Sequence, residues 1–179
     1  MDDKNEWYAK LLLRCTRSSL PPVMPFSMTR LTEHVYLGSA DDAYSVMQGE
    51  SGLNIKCLIN MTTSKYQAPK GITVYHVPLK DDSVTDISPI IPPLMKLLDR
   101  LEAEKKPTLI HCVAGINRSG AAAMAYVMHK RATEHPRMTP AERFVFFLKT
   151  YYMLRDLRGA FLENQNFRYQ LIKMFVVES

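Results

Sequence analysis

Apolar residues in this chain fall into short continuous runs separated by longer segments with helical spacing. The short runs predict β-strands near 35–38, 56–61, 72–78 and 107–112. The longer segments, in which apolar residues recur every three or four positions, predict helices near 40–47, 93–104, 119–133 and 139–155. This alternation favours an α/β fold, with a mainly parallel central sheet flanked by helices on both faces.

The predicted helix near 139–155 has the best-defined start. Thr139 can cap it, Pro140 suits the first helical position, and Glu142 completes a capping box. Its apolar stripe, which we interpret as a core face rather than a ligand site, consists of Phe144, Phe147, Leu148 and Tyr151. The sequence does not fix the start of the helix near 93–104, because it is crowded by Pro89, Pro92 and Pro93.

A further amphipathic helix is predicted at the N-terminal end, over residues 3–16. Asp3 and Glu6 have the spacing of a capping box, and the apolar face is formed by Trp7, Leu11, Leu12 and Cys15. The run Ser18-Ser19-Leu20-Pro21-Pro22, followed by Pro25, breaks the helix and predicts a linker. The Trp–Leu face must pack on something, either its own domain or a neighbouring subunit.

Length and composition predict one domain after this helix. The chain has 179 residues, of which 46% are hydrophobic, and this is ample for a single core. The net charge of +5 is mild and does not by itself indicate nucleic-acid binding. We find no signal peptide and no apolar stretch long enough to span a membrane, and we therefore expect no membrane partner.

The three cysteines do not suggest a disulfide framework or a metal site. Cys15, Cys57 and Cys112 make an odd number and lack the spacing of metal ligands. Cys57 lies in an apolar run and is expected in the core. We therefore expect a reducing compartment, in which Cys112 stays available for chemistry.

The most informative segment is His111-Cys112-Val113-Ala114-Gly115-Ile116-Asn117-Arg118-Ser119. A strand-like run leads into this segment. A run of small residues follows it and predicts the start of a helix. Backbone N–H groups of such a loop, together with the helix dipole, favour an anion, and the Arg118 guanidinium suits two phosphate oxygens. The same field stabilises the Cys112 thiolate. The segment therefore predicts phosphoryl transfer through a cysteinyl-phosphate.

This segment resembles the His-Cys-(five residues)-Arg-Ser/Thr signature of the protein tyrosine phosphatase superfamily. Four other segments, 28–38, 57–61, 77–82 and 154–167, look like parts of its dual-specificity branch, and the short chain fits that branch. Residues 7–14 and the run Arg-Asp-Leu-Arg-Gly-Ala-Phe are similar to poxviral dual-specificity phosphatases. The resemblance implies an N-terminal helix and linker over 1–25, which serve a dimer, and a catalytic domain over 26–179.

The resemblance agrees with the roles that the residue chemistry predicts. Cys112 is the expected nucleophile, Arg118 binds two equatorial oxygens, and Ser119 can donate a hydrogen bond to the sulfur. The other phosphate-binding residues offer backbone N–H groups: Val113, Ala114, Gly115, Ile116 and Asn117. Gly115 is expected to permit a turn that a β-carbon would obstruct. His111 is expected to support the loop rather than act as a base, and no metal or cofactor is expected.

A general acid must come from a second segment, and three aspartates follow the apolar run that ends at Leu79. These are Asp81, Asp82 and Asp86. The resemblance favours Asp81, three residues after Pro78, with Asp82 as the next choice. Asp86 could instead cap a helix.

Two asparagines near these segments are open to more than one interpretation. Asn60 could brace the phosphate loop or could serve only as a strand-end turn residue. Asn117 could alter the rim of the loop but is not expected to be catalytic.

The resemblance implies a viral enzyme that hydrolyses phosphotyrosine and phosphoserine/threonine in host and viral phosphoproteins. A transcription factor of interferon signalling is the expected host target, and the host cytoplasm and the virion are the expected locations. One alternative is a phosphopeptide-binding module without turnover, although such modules usually lose one of the catalytic residues. Another is a phosphatase for phosphoinositides or RNA 5′-ends, which is disfavoured because residues 113–117 include no lysine or arginine.

Overall fold

A computed structural model describes residues 3–17, 23–25 and 27–178 of this chain. The described strands form one five-stranded sheet in the order β1-β2-β5-β3-β4. They are Thr29–Arg30 (β1), Val35–Gly38 (β2), Cys57–Asn60 (β3), Thr73–His76 (β4) and Thr108–His111 (β5). All neighbouring strands run parallel except β1 and β2, and so the predicted α/β fold with a mainly parallel sheet is confirmed.

The sequence prediction missed β1, which pairs antiparallel with β2. A strand of two residues is too short to show an alternating pattern. The other strands lie within the predicted segments. Strands β2 and β3 lie on either side of β5, and each pairs with it along its whole length, from Thr108 to His111.

Helices cover both faces of the sheet. They are Asp3–Cys15 (α1), Ala40–Met47 (α2), Ile91–Ala103 (α3), Arg118–Glu134 (α4), Pro140–Arg158 (α5) and Gln165–Ile172 (α6). Side chains such as Leu37, Ile59 and Ile110 face the larger core, which α1 and α3–α6 also line. Alternate residues such as Leu58 and Leu109 face a smaller core with α2. No helix of the described ranges is long and apolar enough to cross a membrane.

Capping chemistry set several helix boundaries as the sequence predicted. Thr139 and Glu142 form the expected capping box, with Pro140 in the first turn of α5. Phe147 and Tyr151 of its apolar stripe are fully buried in the core, and Phe144 and Leu148 are partly buried and pack against that core. The start of α3 lies two residues before the predicted position, because Pro92 and Pro93 fit within its first turn, where no backbone N–H is needed.

The C-terminal end holds two elements that the sequence prediction missed. These are α6, capped by Asn164, and a π-helical turn at Lys173–Val177. An eight-residue helix contains too few apolar repeats to be recognised by periodicity. The Asn164 cap, just before the apolar residues of this segment, was the signal that could have found α6.

Helix α1 packs through Ala9 and Leu12, which are fully buried. Trp7 is instead 59% exposed, so packing on its own domain, one of the two alternatives for the Trp–Leu face, holds for Leu12 and not for Trp7. The predicted capping box is not formed by Asp3 and Glu6, because Asp3 is already helical and the Glu6 carboxylate accepts a hydrogen bond from Tyr169 at 2.6 Å. The predicted linker over residues 18–22 lies outside the described residues.

Candidate active site

The phosphate loop, which we define as residues 112–118, joins the end of β5 to the start of α4. Because β5 lies between β2 and β3, Cys112 is placed at the carboxyl edge in the middle of the sheet. This edge is where open α/β sheets bind ligands. Only 2% of the Cys112 surface is exposed.

Contacts from outside the loop hold its carbonyl groups away from its centre. The Val113 carbonyl accepts a hydrogen bond from the Ala40 N–H at 3.0 Å, and the Ile116 carbonyl accepts one from the Leu162 N–H at 2.9 Å. In a trans peptide, the N–H group points opposite to the carbonyl. The N–H groups that follow these carbonyls are therefore turned towards the interior of the loop, where an anion would bind.

Gly115 makes the tight curve of the loop possible. Its φ is +72°, in the left-handed region, and a β-carbon there would lie 2.7 Å from the Gly38 carbonyl oxygen. The Gly115 carbonyl accepts a hydrogen bond from Arg158 Nη2 at 2.9 Å. The loop thus lies directly against β2 and the end of α5.

Arg158 is a buried cation beneath the loop, and its role was not predicted from the sequence. Besides Gly115, its guanidinium donates to the Leu37 carbonyl at 3.1 Å and to the Thr29 hydroxyl at 2.8 Å. Burial lowers the pKa of this guanidinium, while Asp42 and the Cys112 sulfur oppose that lowering. A single side chain therefore connects β1, β2 and the phosphate loop.

The Cys112 sulfur is arranged to ionise readily. Burial, the largest single influence, opposes ionisation, but hydrogen bonds to the sulfur outweigh it and hold the pKa of the thiol below its usual value. The donors are the Ser119 hydroxyl, 3.2 Å from the sulfur, and the backbone N–H groups of Ser119, Gly115 and Ile116. A lowered thiol pKa is typical of cysteines that act as nucleophiles.

His111 is held by groups that surround the loop. Its Nδ1 lies 3.1 Å from the Cys112 carbonyl, which can only accept, and so Nδ1 carries the proton. Its Nε2 then accepts from the Tyr66 hydroxyl at 2.6 Å. Burial lowers the pKa of His111 and raises that of Tyr66 to about 12, and both groups are therefore neutral at pH 7. This geometry suits a supporting role for His111.

Asn60 contacts the turn that follows β3. Its amide donates to the Ser64 carbonyl at 2.8 Å, and its oxygen accepts from the Thr62 N–H at 3.0 Å. Of the two interpretations from the sequence, the contacts favour the strand-end turn residue.

Arg118 lies at the first position of α4, with its guanidinium partly buried. Its Nη1 is 3.4 Å from the Leu79 carbonyl, and its buried Nε has no hydrogen-bond partner among the described residues. A partly buried, weakly engaged guanidinium beside inward-facing N–H groups is suited to bind phosphate oxygens.

The acid loop, which we define as residues 80–86, brings Asp81 to the phosphate loop. The two carboxylate oxygens of Asp81 accept hydrogen bonds from the Asn117 amide at 2.9 Å and from the Asn164 amide at 2.8 Å. The Asn164 N–H also donates to the Asn117 side-chain oxygen at 2.8 Å. Sequence reasoning considered Asn117 only as a rim residue, whereas the structure makes it a link between two loops and the start of α6.

The other two aspartates are engaged in local turns. Asp82 accepts hydrogen bonds from the Val84 and Thr85 N–H groups, and the Thr85 side chain and these N–H groups hold the pKa of Asp82 below its usual value. Asp86 accepts from the Ser88 hydroxyl and N–H, which likewise lower its pKa. Asp86 is not the cap of α3, whose N-cap is Ile90. Asp81 is therefore the aspartate best placed to serve the phosphate loop.

Within the described ranges, no group of three or more His, Cys, Asp or Glu side chains is arranged to hold a metal ion. The site instead combines a thiol with a lowered pKa, inward backbone N–H groups, a guanidinium and a carboxyl group at the rim. This set can carry out nucleophilic displacement at a phosphate ester.

Comparisons with known proteins agree with this chemistry. Residues 35–176 match the family model of the dual specificity phosphatase catalytic domain. A dual specificity protein phosphatase of variola virus is 39% identical over 177 residues, which cover 98% of each chain. The solved structure of OH1 from the Orf virus, described as a tyrosine phosphatase with triple substrate specificity, is 69% identical with a TM-score of 0.93, covering 95% of this chain and 98% of that one. DUSP15, 23% identical over 83% of this chain and 86% of its own with a TM-score of 0.65, shares the fold.

Proposed function

This chain belongs to the dual-specificity phosphatase family, and we propose that it hydrolyses phosphotyrosine and phosphoserine/threonine in proteins through a cysteinyl-phosphate intermediate. The observation that carries the mechanism is the arrangement at the phosphate loop. The Cys112 sulfur lies 3.2 Å from the Ser119 hydroxyl, and Asp81 is held at the rim by the Asn117 amide.

In the first step, the Cys112 thiolate attacks phosphorus and forms the S–P bond while the ester P–O bond breaks. Arg118 and the N–H groups of the phosphate loop bind the equatorial oxygens, over which charge is spread in the transition state. The leaving oxygen takes a proton from the carboxyl group of Asp81, and the dephosphorylated side chain departs as a neutral hydroxyl.

In the second step, water attacks phosphorus and the S–P bond breaks. Asp81, now ionised, takes the proton from the attacking water, and Cys112 leaves as a thiolate. The hydrogen bond from the Ser119 hydroxyl stabilises that thiolate. Inorganic phosphate is released, and both residues are then in their starting state, because Asp81 has regained its proton from the attacking water and Cys112 is again a thiolate.

The substrates we propose are phosphoproteins of the infected host cell and of the virus itself. The support is similarity to poxviral enzymes along nearly the whole chain. By the same resemblance, we propose a transcription factor of interferon signalling as a host target, with action in the host cytoplasm and in the virion. Dephosphorylation of that factor in infected cells, compared with cells carrying a Cys112→Ser virus, tests the target.

We also propose that the protein is a homodimer formed through residues 1–25. In support, the Trp7 side chain is 59% exposed on α1, and large exposed aromatic side chains are common at interfaces. Light scattering at micromolar concentration tests this proposal. A dimer mass that falls to the monomer mass in Trp7→Ser is expected, whereas a monomer mass for the wild type contradicts it.

Hydrolysis of para-nitrophenyl phosphate in the presence of EDTA tests the catalytic proposal. Turnover by the wild type and its loss in Cys112→Ser are expected, with inhibition by vanadate, which mimics the transition state. Turnover of both phosphotyrosyl and phosphothreonyl peptides would then support dual specificity. Loss of wild-type activity to EDTA would contradict the mechanism.

A further inference from the structure

A basic groove of about 700 Å³ lies between α1, the start of α6 and the acid loop. Four cationic side chains line this basic groove: Lys10, Arg14, Arg17 and Arg168. No Asp or Glu is among the described residues that line it. The Glu6 carboxylate, which pairs with Lys10 at 3.5 Å, offsets one of the four positive charges.

The remaining cations are not neutralised within the part of the chain that the structure describes. Arg14 and Arg17 are exposed and form no ion pair there. Arg168 is only 5% exposed; its Nη1 donates to the Leu162 and Glu163 carbonyls, but its buried Nε has no partner among the described residues. The basic groove therefore concentrates positive charge around a buried guanidinium, and an anion there would gain from several cations at once.

The basic groove borders two segments that also contact the active site, the acid loop and the start of α6. Ser83, which lines it, comes two residues after Asp81, and Gln165, which also lines it, follows Asn164, whose amide binds the Asp81 carboxylate at 2.8 Å. Because an extended peptide advances only about 3.3 Å per residue, the part of a substrate that would meet a groove beside the acid loop is the part close in sequence to the phosphorylated residue.

We propose that this basic groove binds acidic side chains of the substrate polypeptide, close in sequence to the phosphorylated residue. The proposal rests on the proposed function and adds a second contact to the same substrate. Guanidinium groups bind carboxylates through paired hydrogen bonds, and Leu13 and Tyr169 supply apolar surface for the stems of Asp and Glu side chains. Charge complementarity at an exposed rim acts mainly on encounter and binding, so the expected effect is on KM.

Three phosphotyrosyl peptides test the proposal: one with neutral flanks, one with Asp and Glu before the phosphotyrosine, and one with them after it. We expect wild-type kcat/KM to be about fivefold higher for at least one acidic peptide than for the neutral one, as two or three exposed ion pairs would give. The preference should fade as salt is raised.

The variant Arg14→Glu/Arg17→Glu should lose this preference through KM, while its kcat on the neutral peptide stays unchanged. The matched control is Arg137→Glu/Lys149→Glu, which makes the same charge change in a separate groove formed by α4 and α5. The control should keep the preference for the acidic peptide. Equal loss in both variants would show a general effect of net charge and would overturn the proposal.

Other outcomes separate this inference from the proposed function. If the wild type hydrolyses all three peptides equally, the inference fails and the proposed function stands. If no peptide is hydrolysed, the proposed function fails, and fluorescence anisotropy with Cys112→Ser then measures peptide binding without turnover. Equal affinity for the acidic and neutral peptides in that measurement overturns the inference. If Arg14→Glu/Arg17→Glu changes the mass in solution but not peptide preference, the groove belongs to a subunit contact and the inference fails.

Discussion

The Asn117 amide donates a hydrogen bond to the Asp81 carboxylate at 2.9 Å, and this contact joins the phosphate loop to the acid loop. The two residues are 36 positions apart in sequence. Asn164 closes the arrangement by binding both partners. The proposed nucleophile and the proposed acid are thus held in one hydrogen-bonded frame, which fixes where the acid stands relative to a bound phosphate.

The assignment of the general acid predicts a clear difference between two neighbouring variants. Asp81→Asn should lower kcat on a phosphothreonyl peptide by about 10²–10⁴-fold, because the leaving alkoxide then receives no proton. Asp82→Asn should change kcat little, since the Asp82 carboxylate is engaged by the Thr85 side chain and the Val84 and Thr85 N–H groups. Steady-state kinetics of both variants checks this, and a larger loss in Asp82→Asn would move the assignment.

The frame around Asp81 predicts that Asn117→Ala lowers kcat without removing the acid itself. We expect a loss of about tenfold on phosphothreonyl peptides, because a misplaced carboxyl group transfers its proton less effectively. The loss should be smaller on para-nitrophenyl phosphate, whose leaving group needs little protonation. Asn166→Ala is the matched control, since its amide donates to the Thr85 carbonyl and does not contact Asp81. An equal loss on both substrates would show that Asn117 does not act through the acid.

The hydrogen bond from Ser119 predicts how activity depends on pH. The pKa of Cys112 lies below its usual value, so the thiolate is present above that pKa and activity falls as pH drops through it. Ser119→Ala removes a hydrogen-bond donor to the sulfur and should therefore raise the pKa of Cys112. The rate at which iodoacetamide alkylates Cys112 should then begin to rise at a higher pH than in the wild type. A rise in the alkylation rate at the same pH as in the wild type, or at a lower pH, would contradict this prediction.

Arg158 predicts a link between stability and activity. Arg158→Met leaves the Gly115 and Leu37 carbonyls without their charged donor, and we expect a loss of about 3 kcal/mol in the free energy of unfolding. Urea denaturation measures this loss, with Arg137→Met, at an exposed site, as the control. Because the phosphate loop also loses a support, kcat/KM below the unfolding transition should fall too. A stability change no larger than in Arg137→Met would contradict the role of Arg158.

The sequence was sufficient for the sheet and most helices, because periodic apolar positions and caps act locally. Helix α2 has the predicted bounds, and its start is fixed by reciprocal hydrogen bonds between Ser39 and Asp42. The contacts around the site have no such local pattern. Asn117 and Asn164 are 47 positions apart, and Gly115 and Arg158 are 43 apart.

The residues proposed for chemistry could be found because the phosphate loop is continuous in sequence. Its nucleophile, guanidinium and hydroxyl lie within eight consecutive residues, from Cys112 to Ser119. The acid needed a resemblance to choose among three aspartates, and only the structure shows which of them the Asn117 amide reaches. Long-range partners such as Tyr66 for His111 become visible only once the chain is folded.

The central claim, a phosphoryl group carried on Cys112, can be tested by rapid acid quenching during turnover of a phosphopeptide, followed by mass analysis of the digested enzyme. Ser119→Ala is the variant to use alongside the wild type, because a poorer thiolate leaving group should let the intermediate accumulate. The account predicts phosphate on the fragment that contains Cys112 and none in Cys112→Ser. Steady turnover by Ser119→Ala with no phosphate on Cys112 at any quench time would contradict it.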